Sequence, residues 1–543
     1  MKLTNSSIKE NKSLVSEELE DDSFNLQDTE LNTLENELFK LFNSLDIESK
    51  GLIPLSRFTK VLSDMGIKEN DPRIKIDTAK LKRSDENGDS YFLRFNDFKN
   101  IIKESNGSLI KDAVQGNLII PDFTKFVKEI KEIFDHTLTN DSGNVATYIP
   151  QLGRVNPNQY AVSICTIDGQ KASFGDFDKF FCVQSISKPI NYAIALETFG
   201  EDKVHQHVGR EPSGISFNGL VLNDKGLPHN PMINAGAIMT CSLIKPELEI
   251  ADRFDYVLDK WTELSGGIPA KFNNSVYLSE RKTADRNYAL GYFMKEKNAF
   301  PEHSDLIETL EFYFQCCSIE VNTEALAVTA ASFANAGICP VTGHQSLRPD
   351  TVKNVLSLMY SCGMYNFSGE FAFTIGLPAK SGVGGGLLIV IPNLMGIAIW
   401  SPRLDSYGNS VRGIDFCKEL VSKFNFHNYD SLIKGVSTKN DPRLQKNESL
   451  IDGVINLCWA ASTGDNYKVQ QLIARGVNVN AADYDGRTAL HLAASEGHQN
   501  VVEFLLLKGA NVKAKDRWGN TAIDDATRGN HETVIEIINR HLN

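Results

Sequence analysis

The chain contains 543 residues, of which 41% are hydrophobic and 23% charged, and its formal net charge at pH 7 is −13. These values are typical of a globular protein with about two to four domains. The excess of acidic residues argues against a general affinity for nucleic acid or for anionic membranes.

The cysteine and histidine patterns indicate neither a disulfide framework nor a metal centre. The nine cysteines show no paired spacing, and the sequence contains no CxxC or HExxH motif. We therefore expect a reducing compartment, no dedicated metal site and no cofactor. The longest apolar run, residues 385–400, is interrupted by Pro392 and Asn393, which makes it too short for a membrane span.

The N-terminal region begins with an acidic stretch and continues as a helical module. Residues 1–28 predict a disordered tail that resembles neither a signal peptide nor a transit peptide. Residues 29–118 predict an all-α, EF-hand-like module. Apolar residues recur at helical spacing from Leu31 to Phe42, and a calcium-loop pattern follows at residues 46–53.

Both calcium-like loops of this module depart from the ligand pattern. Lys50 and Arg57 stand where the first loop requires oxygen ligands, so we expect no ion there. The second loop, residues 85–92, matches better, but Ser90 replaces the turn glycine and Asn96 the closing glutamate. Calcium binding stays open at the second loop, and the interpretation that we favour is a module that mediates contacts.

Residues 119–430 predict a mixed α/β domain. Two short strands flank Asp168 and Gly169, a dipeptide that favours a type I′ hairpin turn. A long helix-rich region follows, and three strands close the domain at residues 379–383, 387–391 and 395–400. This order predicts one antiparallel sheet that is assembled from both ends of the domain and flanked by helices.

A linker and a repeat region complete the chain. Residues 431–450 are polar and of mixed charge, which predicts a linker. In residues 451–543, Gly464 recurs as Gly497 and Thr488 as Thr521, each 33 positions later. The phrase Thr-Ala-Leu-His-Leu-Ala around His491 is close to the ankyrin signature at the expected period. We predict about three ankyrin repeats, with His491 as a structural histidine.

Ser185 and Lys188 are the first candidates for chemistry. Residues three apart share a helix face, so the amine of Lys188 can approach the hydroxyl of Ser185. A serine becomes a good nucleophile when a base takes its proton, and a lysine kept neutral by burial can be that base. The same spacing occurs at Ser6 and Lys9 in the polar tail, so the pair needs support from other residues.

That support comes from a glycine-rich strand late in the same domain. Lys380, Ser381 and Gly382 are close to the Lys-Thr-Gly element that accompanies Ser-x-x-Lys in penicillin-binding and β-lactamase enzymes. The glycines that follow let a ligand approach the backbone, and the N–H groups of Ser185 and Val383 are candidate oxyanion donors. The alternative is a phosphate-binding glycine loop, which is disfavoured because a strand rather than a helix follows it.

Several longer phrases in residues 119–430 together resemble one enzyme family. The phrases are residues 146–152, 181–185, 228–237, 361–365 and 376–383. They are similar to glutaminases of the animal kidney and liver type, which also carry an N-terminal helical module and C-terminal ankyrin repeats. The resemblance implies a fold like that of β-lactamases and penicillin-binding proteins for the central domain, an antiparallel sheet flanked by helices.

The resemblance implies that L-glutamine is hydrolysed to L-glutamate and ammonia. Ser185 would attack the side-chain amide with Lys188 as its base, ammonia would leave, and water would hydrolyse the glutamyl ester. Tyr365 corresponds to the proton-relay tyrosine of the family, and Val383 stays the second oxyanion donor. Tyr365 rather than Lys188 could be the principal base, and this alternative remains open.

The resemblance also implies a substrate pocket. A carboxylate such as Glu280 suits the α-ammonium group of the substrate, whereas amides and tyrosine hydroxyls suit its α-carboxylate. The positions that correspond to the family's pocket are Tyr148, Ser185, Asn234, Glu280, Asn287, Tyr313, Tyr365 and Val383.

Assembly and regulation are expected from the family as well. Its members are tetramers activated by phosphate, so the resemblance implies a homotetramer with inorganic phosphate as activator. Residues 217–223 match the family's gating and inhibitor-contact segment, but Val221 replaces an aromatic residue of the kidney type and Phe293 replaces a tyrosine. The smaller valine predicts a weaker dimer–dimer pocket and altered inhibitor sensitivity.

Other functions and two compartments also have to be considered. The runner-up enzyme is a hydrolase of another amide, such as a β-lactam or a peptide. The runner-up outside enzymes is a scaffold that acts through its ankyrin repeats on an unidentified protein partner, with an inactive catalytic domain. The intact Ser185, Lys188 and Tyr365 argue against the scaffold. The family is commonly mitochondrial, whereas an N-terminus without a presequence indicates a cytoplasmic form.

Overall fold

The computed structural model describes residues 35, 38–46, 50–83, 91–214, 219–433, 438–443, 445–474 and 477–542. The predicted tail at residues 1–28 lies outside these ranges, as do most of the second calcium-like loop and residues 217–218 of the gating segment. The chain divides into two compact units, one formed from residues 1–63, 74–117 and 447–543 and the other from residues 64–73 and 118–446.

The N-terminal module combines the predicted helices with a small sheet. After a helical segment at residues 38–45, its elements are β1 (Ile53–Pro54), α1 (Leu55–Asp64), β2 (Lys82–Arg83), β3 (Tyr91–Leu93), α2 (Phe95–Glu104) and α3 (Gly107–Gln115). The strands pair antiparallel in the order β1-β3-β2. Phe58 and Phe98 are buried and meet edge to face with 5.9 Å between ring centroids, so aromatic packing forms the centre of this core.

The first calcium-like loop contacts the repeat region of the same unit. The carboxylate of Asp46 accepts hydrogen bonds from the backbone N–H groups of Lys50 (3.2 Å) and Gly51 (2.7 Å). The ammonium of Lys508 donates to the carbonyl oxygens of Asn43 (3.0 Å) and Asp46 (2.8 Å). Because the last carbonyls of a helix lack intrahelical partners, a lysine at this end stabilises the helix.

The second unit is organised around a five-stranded antiparallel sheet. The strands of the whole unit, which form this sheet and a smaller one, are β4 (Ala161–Thr166), β5 (Lys171–Gly175), β6 (Phe181–Cys182), β7 (Lys271–Phe272), β8 (Ile319–Val321), β9 (Ala379–Ser381), β10 (Gly386–Ile391) and β11 (Met395–Trp400). The main sheet has the order β5-β4-β11-β10-β9. This order confirms the prediction that both ends of the domain contribute to one sheet. In the register, Trp400 pairs with Ala161 on one side and with Gly386 on the other.

The turn between β4 and β5 differs from the prediction. Gly169 has a positive φ of 86°, but Asp168 does not, so the turn is not type I′, which requires positive φ at both residues. The loop is longer than two residues, since the backbone N–H of Thr166 bonds to the carbonyl of Gln170. The Asp168 carboxylate also accepts a 2.6 Å hydrogen bond from the N–H of Ile119, a long-range contact that the dipeptide pattern does not contain.

Helices cover both faces of the main sheet. The helices of this unit are α4 (Phe123–Leu138), α5 (Ser187–Val204), α6 (Asn234–Ser242), α7 (Ile250–Leu264), α8 (Asn274–Lys282), α9 (Asp285–Glu296), α10 (Leu306–Cys317), α11 (Thr323–Ala334), α12 (Pro349–Cys362), α13 (Ser368–Thr374) and α14 (Val411–Lys423). In β10, Leu388 and Val390 belong to the core that contains α11, whereas Leu387 and Ile389 belong to the core that contains α4 and α14. Because alternate side chains point to opposite faces, a strand buried on both sides is apolar throughout.

A second, smaller sheet leads to the site. It has the order β6-β8-β7, and both pairings are antiparallel. The chain passes from β6 through a 3₁₀ turn at Gln184–Ile186 directly into α5. Among the helices of the described ranges, none has both the length and the apolar character needed to cross a bilayer.

The C-terminal region of the first unit consists of paired helices. They are α15 (Gln445–Ser462), α16 (Asn466–Ala474), α17 (Ala489–Ser495), α18 (Gln499–Leu507), α19 (Ala522–Arg528) and α20 (Glu532–Leu542). Helix α15 already begins within the stretch predicted as a linker. His491 is buried; its Nδ1 lies 2.9 Å from Oγ1 of Thr488 and its Nε2 lies 3.2 Å from the carbonyl oxygen of Asn520. The predicted structural role of His491 is therefore confirmed.

Candidate active site

Ser185 lies in the 3₁₀ turn that joins β6 to α5. The preceding residue, Gln184, has a left-handed backbone with φ of 48°, which is uncommon for a residue with a side chain and is often found at functional sites. The hydroxyl of Ser187 donates to the carbonyl of Gln184 at 2.8 Å and stabilises this turn. Glycine at position 382 is required, since a Cβ there would lie 2.4 Å from the carbonyl oxygen of Val183. The turn that carries Ser185 is thus packed tightly against the strand that precedes Val383.

Lys188, on the first turn of α5, contacts Ser185 as the spacing predicts. Its Nζ lies 3.0 Å from Oγ of Ser185 and 2.6 Å from Oδ1 of Asn234, and the side chain is fully buried. Burial lowers the pKa of Lys188 from 10.5 to about 8, because a charged amine loses its hydration in the interior. An amine with a pKa of about 8 is neutral in about a tenth of molecules at pH 7 and in about half at pH 8, and neutral lysine can accept a proton.

Tyr365 approaches Ser185 from the 3₁₀ turn at Tyr365–Phe367, beyond the end of α12. Its backbone is also left-handed, with φ of 54°. Burial raises the pKa of its hydroxyl, while hydrogen bonds from the Ser185 side chain and from the Val383 backbone act in the opposite direction. The Nζ of Lys380 lies 4.6 Å from the centre of the tyrosine ring. The predicted Lys-Ser-Gly strand therefore faces the predicted proton relay.

Val383 lies in a turn between two strands. The backbone N–H of Gly385 bonds to the carbonyl of Gly382 at 2.9 Å, and the N–H of Gly382 bonds to the carbonyl of Gly386 at 3.0 Å. Because β10 follows this turn, it lacks the helix N-terminus that a phosphate-binding glycine loop would present.

The predicted pocket residues line one cleft. Within it, Nδ2 of Asn234 donates to Oδ1 of Asn287 at 3.2 Å, and the hydroxyl of Tyr313 lies 3.5 Å from Oδ1 of Asn234. Tyr148 is 59% exposed at the edge of the cleft. The structure brings together the whole predicted set: Tyr148, Ser185, Asn234, Glu280, Asn287, Tyr313, Tyr365 and Val383.

Gln184 lines the same cleft but was missed by the sequence analysis. Its Nε2 donates to Oε2 of Glu280 at 3.1 Å and to the carbonyl of Cys317 at 3.2 Å. Burial raises the pKa of Glu280 from 4.5 to about 7, while the hydrogen bond from Gln184 and the charge of Lys188 partly oppose this rise. The sequence did contain a signal for Gln184, because this residue directly precedes Ser185 in a phrase shared with the family. Gln184 holds the carboxylate that the sequence analysis assigned to the α-ammonium group.

The site contains the parts of a serine–lysine hydrolase. A buried serine contacts a lysine of lowered pKa, a tyrosine adjoins the serine, and Val383, which follows the Lys-Ser-Gly strand, lines the same cleft. Across the described part of the chain, no group of three or more His, Cys, Asp or Glu side chains is arranged to hold a metal ion. The fold and the site together define an enzyme of the β-lactamase-like class.

The sequence assigns the chain to one family within this class. Residues 143–429 match the glutaminase family, residues 34–121 match an EF-hand domain, and residues 414–516 and 457–542 match ankyrin repeats. The chain belongs to the glutaminase family. As a glutaminase, it hydrolyses L-glutamine to L-glutamate and ammonia.

Curated relatives are similar over most of the chain. Putative glutaminase 3 of Caenorhabditis elegans is 47% identical, and the similarity covers 82% of this chain and 78% of the relative. The mitochondrial liver isoform of glutaminase from Rattus norvegicus is 46% identical, and the similarity covers 81% of this chain and 73% of the relative. A solved structure titled probable glutaminase ybaS is 35% identical, with a TM-score of 0.53 over 57% of this chain and 98% of that chain.

Proposed function

We propose that this glutaminase works through a glutamyl ester on Ser185, with Lys188 as the base that activates the serine hydroxyl. The observation that carries the proposal is the 3.0 Å separation of Lys188 Nζ and Ser185 Oγ. A base must lie within hydrogen-bond reach of the proton that it removes, and this distance meets the requirement. The lowered pKa of Lys188 favours it over Tyr365 as base, since burial raises the pKa of the tyrosine.

The proton taken from Ser185 is returned to the leaving group. As the hydroxyl oxygen attacks the side-chain carbonyl of L-glutamine, Lys188 accepts the proton, and the N–H groups of Ser185 and Val383 stabilise the oxyanion. Tyr365 then passes a proton to the departing nitrogen and recovers it from Lys188, so ammonia leaves. A water molecule attacks the ester with the same groups as base and acid, which releases L-glutamate.

The cleft orients the substrate through its α-carbon groups. Glu280, held by Gln184, binds the α-ammonium group, because a carboxylate forms strong charge-assisted hydrogen bonds with it. Asn234, Asn287 and Tyr313 form a connected polar wall that suits the α-carboxylate. Tyr148, which also lines the cleft, is largely exposed to solvent.

Ammonia release from L-glutamine by the purified full chain tests the assigned roles. We expect Ser185→Ala to lose more than about 10³-fold in kcat, because the nucleophile is absent. Ser357→Ala, which changes an exposed serine of α12, is the matched control and should retain wild-type activity. L-Asparagine and a β-lactam are the comparison substrates.

The alternatives give different results in this assay. Wild-type protein that releases no ammonia, even with phosphate, would favour an ankyrin-based scaffold. Opening of the β-lactam without turnover of L-glutamine would favour another amide as substrate. Full activity of Ser185→Ala would contradict the acyl-enzyme.

We further propose a cofactor-free homotetramer that inorganic phosphate activates, with the ankyrin repeats as the surface for a protein partner. Support comes from the family resemblance and from the general role of ankyrin repeats in extended binding surfaces. Light scattering after size exclusion, with and without phosphate, measures the assembly. A monomer or dimer that is fully active without phosphate would contradict this proposal.

For the compartment we propose mitochondria, because the similar rat and mouse enzymes are named mitochondrial. The alternative is the cytoplasm. Fractionation of cells that produce the protein, with activity measured in each fraction, distinguishes the two.

A further inference from the structure

The turn that carries Val383 contains Gly384 and Gly385 and ends at Gly386, where β10 begins. Glycine populates more backbone conformations than any other residue, so this turn is intrinsically less rigid than one built from other residues. Contacts from outside the turn therefore add to its two internal hydrogen bonds in holding the N–H of Val383 in place. One backbone contact is the hydrogen bond from the N–H of Ser401 to the carbonyl of Gly385 at 3.0 Å.

Trp400, the last residue of β11, supplies a side-chain contact to this turn. Its indole Nε1 donates to the carbonyl oxygen of Gly384 at 3.0 Å, and the side chain is buried. The indole also stacks on Phe181, with ring centroids 5.1 Å apart and an angle of 6° between the planes. A Cβ at position 386 would lie 2.7 Å from the Phe181 ring, so glycine there leaves room for the stack.

These two contacts join the segments that carry the two oxyanion donors. Phe181 lies in β6, four residues before Ser185, and Gly384 directly follows Val383. The same indole therefore sets the distance between the turn of Val383 and the strand that leads to Ser185. Oxyanion donors act only when they are held at the correct distance, and a displacement of about 1 Å can reduce a rate by about 10²-fold.

We propose that Trp400 is a positioning residue for glutamine hydrolysis, which acts through Gly384 and Phe181 to align the N–H groups of Val383 and Ser185. The inference rests on the proposed roles of these two N–H groups. Trp400 itself does not contact the substrate cleft in this arrangement. Its effect should therefore appear in the chemical step and not in the affinity for substrate.

Trp400→Phe tests the proposal because it keeps an aromatic ring against Phe181 and removes the N–H. We expect kcat to fall about 10-fold while KM and the inhibition constant of L-glutamate stay within about twofold. The matched control is Trp261→Phe in α7. Trp261 is also buried, but its Nε1 has no hydrogen-bond partner among the described residues. This control should keep the wild-type kcat.

A second variant tests the role of the N–H even if Trp400→Phe folds poorly. Site-specific replacement of Trp400 by its benzothiophene isostere exchanges the N–H for sulfur and keeps the shape of the ring. The same loss of kcat at an unchanged thermal midpoint would support the proposal. A kcat within twofold of wild type, or equal losses at positions 400 and 261, would overturn it. Full activity of Ser185→Ala would instead overturn the proposed function, so the two failures are distinguishable.

Discussion

The Nζ of Lys188 lies 3.0 Å from the Oγ of Ser185, and no part of the lysine side chain is exposed. Proximity alone would not make lysine a base, because an exposed amine with a pKa near 10.5 stays protonated at neutral pH. Burial lowers this pKa to about 8. Position and burial together make the neutral form of Lys188, which the proposed reaction requires, accessible near neutral pH.

Two substitutions of Lys188 separate a basic role from a purely cationic one. We expect Lys188→Met and Lys188→Arg both to reduce kcat by about 10³-fold or more. General base catalysis is lost in each, since arginine cannot release its proton in a protein. Steady-state ammonia release measures the effect, and Lys353→Met, at an exposed position in α12, is the control. An arginine variant within tenfold of wild type would show that only the positive charge matters.

The pH dependence of kcat/KM should show the ionisation of two buried groups, Lys188 and Glu280. Lys188 has its pKa lowered to about 8 and must be neutral, and Glu280 has its pKa raised to about 7 and must be ionised. Both requirements are met at higher pH, so kcat/KM should rise as the pH increases through about 7 and about 8. Glu280→Gln should raise KM and leave a single step at lower pH than in the wild type, because the charge of Glu280 raises the pKa of Lys188. A profile that falls over this range would contradict the assignment.

Asn234→Asp should shift the rise of kcat/KM to higher pH. The Asn234 oxygen lies 2.6 Å from Lys188 Nζ, so a carboxylate there favours the charged amine and raises its pKa, by about 1–3 units. Lower activity at pH 7 and partial recovery at higher pH are the expected result. Asn287→Asp places the charge one hydrogen bond further from Lys188 and should produce a smaller shift. Equal shifts, or none, would contradict a direct contact between Asn234 and the base.

Tyr365→Phe should affect the rate more than the affinity. Without the hydroxyl, the proton cannot reach the departing nitrogen, so we expect kcat to fall about 10²–10⁴-fold with little change in KM. Tyr313→Phe is the comparison, since Tyr313 is assigned to the α-carboxylate and its loss should mainly raise KM. If the two phenylalanine variants behave alike, Tyr365 binds substrate and does not relay protons.

Local sequence signals predicted those parts of the molecule that depend on periodicity or short spacing. The main sheet followed from apolar runs such as Gly386–Ile391, which are long enough to identify a strand buried on both faces. The contact between Ser185 and Lys188 followed from their spacing, because one turn of helix brings them together.

Long-range contacts could not be derived in the same way. Asn234 lies 46 positions after Lys188, and only the packing of α6 against α5 brings its side chain to the amine. The contribution of Gln184 depends on a left-handed backbone that the sequence does not encode locally. The predicted type I′ turn at Asp168 was wrong because the loop is longer than two residues, and its Asp168 carboxylate bonds to the distant Ile119. The family resemblance supplied most of the pocket instead.

Trapping the ester on Ser185 is the most direct test of the proposed mechanism. The full chain is mixed with L-glutamine, quenched in acid during turnover and digested, and the peptide that contains Ser185 is analysed by mass spectrometry. The mechanism predicts a glutamyl group on Ser185 in the wild type and none in Ser185→Ala. Active wild-type enzyme that never carries the group, together with ammonia release by Ser185→Ala, would contradict it.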